Sequence, residues 1–311
     1  MQPVKFGLQL WPQRTTWPEF REASLAAEAA GWGSIWVWDH LLAIQGPWQQ
    51  PIFEGWALLN AAAAITSRVR LGLMVGANTF RNPGVTTKLA ATLDHVSNGR
   101  AVLGIGGAWF EREHEAFGID FGASVGERLD RLEEAVPLMR RLFDGEKVSH
   151  DGRFYTFKDA LCEPRPIQEH LPILVGGSGP RKTLRTVARH ADAWNTSGDV
   201  PTVKGSLAVL AAHCADAGRA MSDIELTISF PTIIRDSAAA AERARTAQLT
   251  FNGITDGGGG VPLLMGSPKL LAETLKPYLD LGFSTVIVRM PAPFDRETID
   301  RLPEILALLN R

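Results

Sequence analysis

Eight short apolar runs recur along the 311-residue chain, and most are followed by a longer stretch with helical character. In chain order they read VKFGLQLW, SIWVWD, VRLGLMVG, RAVLGIGG, LPILVGG, ADAWNT, IELTISF and STVIVRM. Apolar strands that alternate with helices are typical of a parallel α/β sheet with both faces covered. Eight such units over this length predict one (β/α)8 barrel, a TIM barrel that forms a single domain over residues 1–311.

The segments between the runs carry helix start and stop signals. Apolar spacing and a closing Gly31 predict a helix over residues 17–30, and an Ala-rich stretch predicts another near residues 53–67. Further helices are expected after Pro83 and over residues 127–143. The chain also contains enough apolar material for a large core, since 45% of its residues are hydrophobic.

Two insertions interrupt this rhythm, at residues 109–126 and 248–266. The second contains DGGGG, residues 256–260, and a four-glycine run predicts a mobile loop. A third irregular piece, SHDGRFYTFKDA, predicts a small hairpin. We expect the insertions in the loops at the C-terminal ends of the strands.

Charge and cysteine content exclude several classes of protein. The formal net charge is only −2, so nothing favours nucleic acid or an anionic membrane as a partner. Two cysteines, Cys162 and Cys214, form no CxxC motif, which fits a reduced cytoplasmic compartment. The N-terminus reads as a first strand and not as a signal peptide, and no apolar stretch is long enough to span a bilayer. A cytoplasmic protein with a small-molecule substrate is the expectation.

Asp39 and His40 directly follow the second apolar run. In a barrel of this type the active site lies at the C-terminal ends of the strands, so both residues are candidates for it. His40 can act as a general acid or base near neutral pH, whereas the simpler alternative is a turn in which Asp39 caps the next segment. Tryptophans expected near strand ends favour a large flat ligand. They are Trp11, Trp36, Trp38 and Trp48.

The third and fourth runs end in small residues. Gly76 and Ala77 permit close approach of the backbone to a planar group, although the same segment also turns into the helix that Asn82 and Pro83 begin. After the fourth run, the glycines do not form GxGxxG, which excludes a dinucleotide fingerprint. The acids that follow, together with Arg112, are interpreted as a solvated helix face. They are Glu111, Glu113 and Glu115.

The fifth run ends in VGGSGPRK. Ser178 and Pro180 are expected to open a helix, whose free amides would form an anion site. Arg181 and Lys182 would then oppose the helix dipole unless a phosphate is bound, although an ordinary surface helix remains the alternative. No P-loop or GxSxG motif is present. The histidines lack metal-binding spacing, and His95 and His190 precede strands, so no metal is expected and both read as structural.

Several segments together resemble the luciferase-like monooxygenase superfamily, in particular its deazaflavin (coenzyme F420)-dependent oxidoreductases. They are FGLQLWP, WVWDHLL, FRNPGVTTKLAATLDHVSNGR, LGIGGAWFEREHEAFGIDF, GERLDRLEEAV, ILVGGSGPRKTLRTVARHADAWN and PAPFDRETI. The resemblance implies a TIM barrel, an F420 ring at the C-terminal rim, hydride transfer and a homodimer. It also implies a non-prolyl cis peptide at Met74–Val75 or Val75–Gly76.

The resemblance assigns roles to individual residues. Asp39 would contact the cofactor, and His40, with Asp39, would carry the catalysis. The implied cofactor-binding residues are Asp39, Met74, Val75, Gly76, Asn78, Gly106, Gly107, Ala108, Trp109, Gly176, Gly177, Ser178, Gly179 and Lys182. The implied substrate pocket comprises Trp11, Trp48 and Trp109.

One position departs from the family's sugar-phosphate dehydrogenases. They place a glutamate near the end of a GxGxGE-like segment, where this chain has Trp109, so a more apolar substrate is expected. FMN offers a similar ring and phosphate, so an FMN-dependent monooxygenase remains an alternative, as does a non-catalytic flavin or deazaflavin carrier. A separate flavin or F420 reductase system would supply reduced cofactor.

Overall fold

Eight parallel strands close into a barrel in the computed structural model, which describes residues 3–255 and 261–309. The barrel strands are β1 (Lys5–Leu10), β2 (Ser34–Val37), β3 (Arg70–Leu73), β5 (Ala101–Gly106), β8 (Ile173–Gly176), β9 (Ala193–Thr196), β10 (Glu225–Ile234) and β12 (Thr285–Met290). The chain-order numbering includes four further strands, β4 (Gly76–Ala77), β6 (Val148–Asp151), β7 (Thr156–Ala160) and β11 (Leu264–Gly266). Parallel pairing of β12 with β1 and of β9 with β10 completes the ring and confirms the predicted TIM barrel.

Helices follow the strands and cover the outside of the barrel. They are α1 (Trp17–Ala30), α2 (Gly55–Ile65), α3 (Pro83–Val96), α4 (Glu111–Phe117), α5 (Val125–Phe143), α6 (Thr183–His190), α7 (Val200–Asp216), α8 (Ala238–Asn252), α9 (Pro268–Asp280), α10 (Arg296–Asp300) and α11 (Leu302–Leu309). Among the described residues, no helix is both long and apolar enough to cross a membrane.

Local signals set the helix ends close to their predicted places. Thr16 and Glu19 form a capping box at the start of α1, and Gly31 ends the helix in the left-handed conformation, with φ of 90°. Asn82 caps α3 and Pro83 occupies its first turn. The hairpin is confirmed as well, because β6 and β7 pair antiparallel.

Two apolar layers result from the alternation of side chains along the strands. Ile35, Leu71 and Ile173, among others, point outward and pack beneath the helices. A smaller cluster fills the barrel interior and includes Trp36, whose indole nitrogen donates to Ser34 Oγ at 2.8 Å. The expectation that Trp36 lies at the ligand end is therefore wrong, because this side chain packs within the barrel.

The insertions are more regular than their composition predicts. Residues 109–126 contain the short helix α4. The predicted interruption at residues 248–266 is wrong at both ends, because α8 continues to Asn252 and β11 pairs in parallel with β10. Local backbone hydrogen bonds therefore extend into segments whose composition predicts a loop. The predicted mobile loop at residues 256–260 lies outside the described residues.

Candidate active site at the barrel mouth

A cavity of about 560 Å³ opens at the C-terminal ends of the barrel strands. This volume is within the usual range for a small-molecule or cofactor site. Most residues assigned to the site from the sequence line it. They are Trp11, Asp39, His40, Met74, Val75, Gly76, Gly106, Gly107, Ala108, Trp109, Gly176, Gly177 and Gly179. The rule that places function at the strands' C-terminal ends therefore collects these residues at one cavity.

His40 is paired with a buried glutamate in the cavity wall. Its Nδ1 lies 2.8 Å from Glu113 Oε1, and the Glu113 side chain is only 1% exposed. The other carboxylate oxygen accepts from the amides of Leu41 at 2.8 Å and Leu42 at 3.4 Å. These contacts fix the imidazole and favour the tautomer in which Nδ1–H donates to Glu113. The opposite nitrogen, Nε2, remains available to exchange a proton.

The prediction that Glu113 belongs to a solvated helix face is wrong. The helix α4 is short, and it folds back onto the rim so that Glu113 and His114 point inward. Glu111, Arg112 and Glu115 are exposed, as expected. Periodicity over seven residues could not identify the inward side, because that side depends on how the insertion packs.

Asp39 has a different partner, which the sequence did not reveal. Arg81 donates to both of its carboxylate oxygens, at 2.7 and 3.0 Å, and the Ala77 amide donates to Oδ2 at 3.0 Å. Burial raises the pKa of the Asp39 carboxyl, although the Arg81 guanidinium opposes this effect. The pair ties the end of β2 to the segment after β4. Asp39 thus lines the cavity with its oxygens already engaged.

The peptide bond between Met74 and Val75 is cis, as the resemblance implied. Gln9 Nε2 donates to Met74 O at 2.9 Å, which holds this segment toward the barrel axis. The Val75 side chain projects between Gly106 and Gly176. A Cβ on either glycine would lie 2.8 Å from a Val75 methyl group. Val75 therefore forms an apolar platform in the cavity, and the two glycines make space for it.

The loop after β8 differs in detail from its prediction. Ser178 and Pro180 do not open a helix, since α6 begins at Thr183 and its N-cap, Lys182, makes no side-chain capping bond. The Ser178 hydroxyl instead bonds Thr196 Oγ1 at 2.8 Å. Within the described residues, the amides of Ser178 and Gly179 donate to no protein acceptor. The loop therefore still presents free backbone donors beside the cavity.

Four predicted site residues lie outside the cavity lining in the part of the chain that the structure describes. Lys182 Nζ bonds Gly126 O and Asp130, and Asn78 Nδ2 donates to the Tyr155 hydroxyl. Trp48 is 42% exposed and lies beneath Arg112, with the guanidinium 5.0 Å from its ring. The fourth is Ser178. Each of these four side chains already has another protein contact, and its assignment to the cofactor or the substrate stays a prediction.

Arg289 also borders the cavity, although it belongs to none of the sequence motifs described above. The sequence does contain a signal for this residue, because Arg289 is a charged residue inside the apolar run STVIVRM. Burial lowers the pKa of Arg289 to about 10. The guanidinium therefore remains charged at neutral pH in a largely buried position. Among the described residues, no group of three or more His, Cys, Asp or Glu side chains is placed to hold a metal ion.

Comparison with known proteins identifies the family. Residues 4–256 match the luciferase-like monooxygenases, so the chain belongs to this family of enzymes. An F420-dependent glucose-6-phosphate dehydrogenase of Microbacterium testaceum is 34% identical over an alignment 342 positions long, gaps included, which covers 99% of this chain and 98% of the relative. The family predicted from the sequence segments is thereby confirmed.

Two further comparisons differ in extent. An uncharacterised protein of Mycobacterium tuberculosis is 38% identical over 144 residues, which span 46% of this chain and only 50% of that relative. A solved F420-dependent secondary alcohol dehydrogenase, in complex with an F420–acetone adduct, superposes with a TM-score of 0.84. It shares 20% identity over 99% of each chain and shows a common fold.

Proposed function

We propose that this chain is an F420-dependent oxidoreductase that moves a hydride between the deazaflavin and a small organic substrate. The observation that carries the proposal is the His40–Glu113 pair in the wall of a cavity whose floor is Val75. Membership of the luciferase-like family and the full-length similarity to an F420-dependent relative support the choice of cofactor.

The cavity residues fit a flat tricyclic ring. Val75 offers an apolar face, and Gly106 and Gly176 leave room beside it. The free amides at Ser178 and Gly179 would receive the phosphate of the cofactor's tail. Bound there, F420 would accept or donate the hydride at its C5 carbon. The protein's contribution is to hold the ring and the substrate in a fixed relative position.

Proton transfer is assigned to His40. When an alcohol is oxidised, its hydroxyl proton must leave as the hydride departs, and we assign the base that takes it to His40 Nε2. In the reverse direction the same nitrogen donates the proton. Glu113 stabilises the imidazolium that forms, and its two bonds from backbone amides keep it in place. A carrier protein has no use for such a pair.

The exposed Trp109 ring lies 5.6 Å from the His40 ring, at the place where a substrate would enter. With Trp11 and Trp38 it gives this side of the cavity an apolar, aromatic surface. This surface supports a substrate less polar than a sugar phosphate. The homodimer, the cytoplasmic location and the separate reductase system stay predictions.

The first experiment titrates the purified protein with F420 and, separately, with FMN, following tryptophan fluorescence. We expect F420 to bind more tightly than FMN. Tighter binding of FMN would instead support the monooxygenase alternative, and binding of neither would contradict the proposal. F420 binding without turnover of any compound in a broad screen of alcohols, aldehydes and ketones would favour a carrier.

The variant Gly176→Ala tests the platform. Its new Cβ would meet the Val75 methyl group at 2.8 Å, and relieving this contact would push Val75 into the ring's place. Overpacking costs about 1–3 kcal/mol, so we expect F420 affinity to fall by about fivefold or more. Gly205→Ala is the matched control, because a Cβ at Gly205 meets nothing within 4 Å. Equal F420 affinity in both variants would contradict the ring's position.

A further inference from the structure

Arg289 lies on the inner face of the barrel, near the C-terminal end of β12. Side chains alternate along a strand, and Ile287, two residues earlier, belongs to the interior cluster. Arg289 pairs in register with Gln9 of β1 and with Pro231 of β10. The alternation therefore directs a guanidinium toward the barrel mouth.

The guanidinium has almost no protein partner. One of its nitrogens, Nη2, donates to Ser229 O at 3.3 Å. Within residues 3–255 and 261–309, no carboxylate lies within 4.0 Å of it, whereas Arg81 and Arg235 are both paired with aspartates. An unpaired buried charge is costly, and the lowered pKa of Arg289 reflects that cost. Because the unpaired guanidinium of Arg289 does not stabilise the fold, its buried position is better explained by a ligand that binds to it.

Two indole donors at the same cavity are also unpaired. Trp11 Nε1, Trp38 Nε1 and Arg289 Nε are buried, and none has a hydrogen-bond partner in the described chain. The two indole rings lie 4.5 Å apart, so they form one continuous apolar surface. Buried donors are nearly always satisfied, and three unsatisfied ones in a single cavity indicate a ligand rich in acceptor atoms.

The order of the strands around the barrel distinguishes this region from the proposed place of the cofactor's tail. Arg289 and Trp11 also border a side cavity of about 100 Å³, large enough for a group of a few heavy atoms. The phosphate loop follows β8, three strands away from β12 around the barrel. Arg289 therefore faces the substrate side of the cavity and not the tail.

We propose that the substrate carries a single carboxylate, which Arg289 binds, while its apolar part lies against Trp11 and Trp38. This inference rests on the proposed function, because it names the substrate of the same site. A carboxylate matches the single charge of one guanidinium and its planar geometry. A phosphate monoester carries nearly two charges, and Arg289 is the one lysine or arginine among the residues that line the main cavity; Arg245 borders the side cavity alone.

The test compares phenylacetate, its neutral analogue phenylacetamide, and phenyl phosphate. Each is titrated calorimetrically into the F420-saturated protein. A hydrogen bond to a charged group contributes enough binding free energy that phenylacetate should bind at least about tenfold more tightly than phenylacetamide. Arg289→Gln should abolish this preference, and Arg289→Lys should retain part of it. Arg14→Gln is the matched control, since Arg14 lies at the same end of the barrel over the Phe251 ring and outside the cavity lining.

Other results would overturn the inference. Equal binding of acid and amide, binding of neither, or tighter binding of phenyl phosphate would do so. If Arg289→Gln still binds phenylacetate more tightly than phenylacetamide, the inference is also overturned. A lower melting temperature or a lower F420 affinity of the variant would not change that conclusion. The inference predicts instead that this variant melts no lower than the wild type. If F420 fails to bind while the cofactor-free protein keeps an Arg289-dependent preference, the proposed function fails but the carboxylate site stands.

Discussion

Asp39 and Glu113 are both buried carboxylates at the mouth of one barrel, yet their partners give them different chemistry. Asp39 is held by Arg81, a cation that keeps its charge at any physiological pH. Glu113 is held by His40, whose imidazole is a side chain that can serve as a general acid or base. The first pair is a fixed clamp between two loops. The second is the pair to which we assign proton transfer, although the two pairs begin at adjacent residues.

The largest effect should come from His40→Ala. Loss of a general acid or base lowers turnover by about 10²–10⁴-fold, while the F420 dissociation constant should stay nearly unchanged because His40 is not part of the ring's platform. Turnover is measured as F420 absorbance change with a substrate from the screen. His170→Ala is the matched control. His170 also pairs with a carboxylate, Asp192 at 2.7 Å, but precedes β8 at the opposite end of the barrel. Unaltered turnover in His40→Ala would remove it from the mechanism.

The second effect concerns stability and addresses the clamp. Arg81→Met leaves the Asp39 carboxylate buried, with only the Ala77 amide as a partner. Breaking a buried ion pair from one side costs about 3–5 kcal/mol, which should appear as a lower free energy of unfolding in urea. Because an amide carries no charge, the double variant Asp39→Asn/Arg81→Met should recover part of the loss.

Arg296→Met is the control for the clamp, since Arg296 is an exposed arginine paired with Asp300. Its substitution should lower the free energy of unfolding by less than about 1 kcal/mol. If Arg81→Met costs no more than this control, the clamp does not stabilise the fold. Asp39→Asn alone also tests the predicted catalytic role of Asp39. Normal turnover in a folded Asp39→Asn variant would limit the residue to positioning.

The order of the strands and helices in the barrel, and the end at which its cavity opens, could be predicted from the sequence, because both follow from short-range patterns. Apolar runs gave the strands, caps gave the helix ends, and the rim rule gave Asp39 and His40. Their partners could not be predicted in this way. Glu113 is 73 positions from His40, and Arg81 is 42 from Asp39. Such pairings depend on how an insertion and a loop fold back over the rim.

Arg289 illustrates a different limit. Its position in an apolar strand is visible in the sequence, but the absence of a carboxylate partner among the described residues is a property of the folded barrel. Ser178 shows the reverse case. A capping residue and an early proline predicted a helix start at that loop, and the helix begins five residues later. Local propensity therefore located the loop correctly and its hydrogen bonds incorrectly.

The smallest effect should come from Glu113→Gln, which separates charge from shape in the pair to which we assign proton transfer. The amide can still accept from the Leu41 backbone, but it no longer stabilises an imidazolium by charge. We expect turnover to fall by about 10–100-fold, since a charge-assisted hydrogen bond is worth about 1.5–3 kcal/mol, with little change in KM. Glu115→Gln, on the exposed side of the same helix, is the control. A change in KM alone, with turnover intact, would mean that Glu113 only positions other residues, as Asp39 does in its clamp. The two carboxylates would then not differ in function.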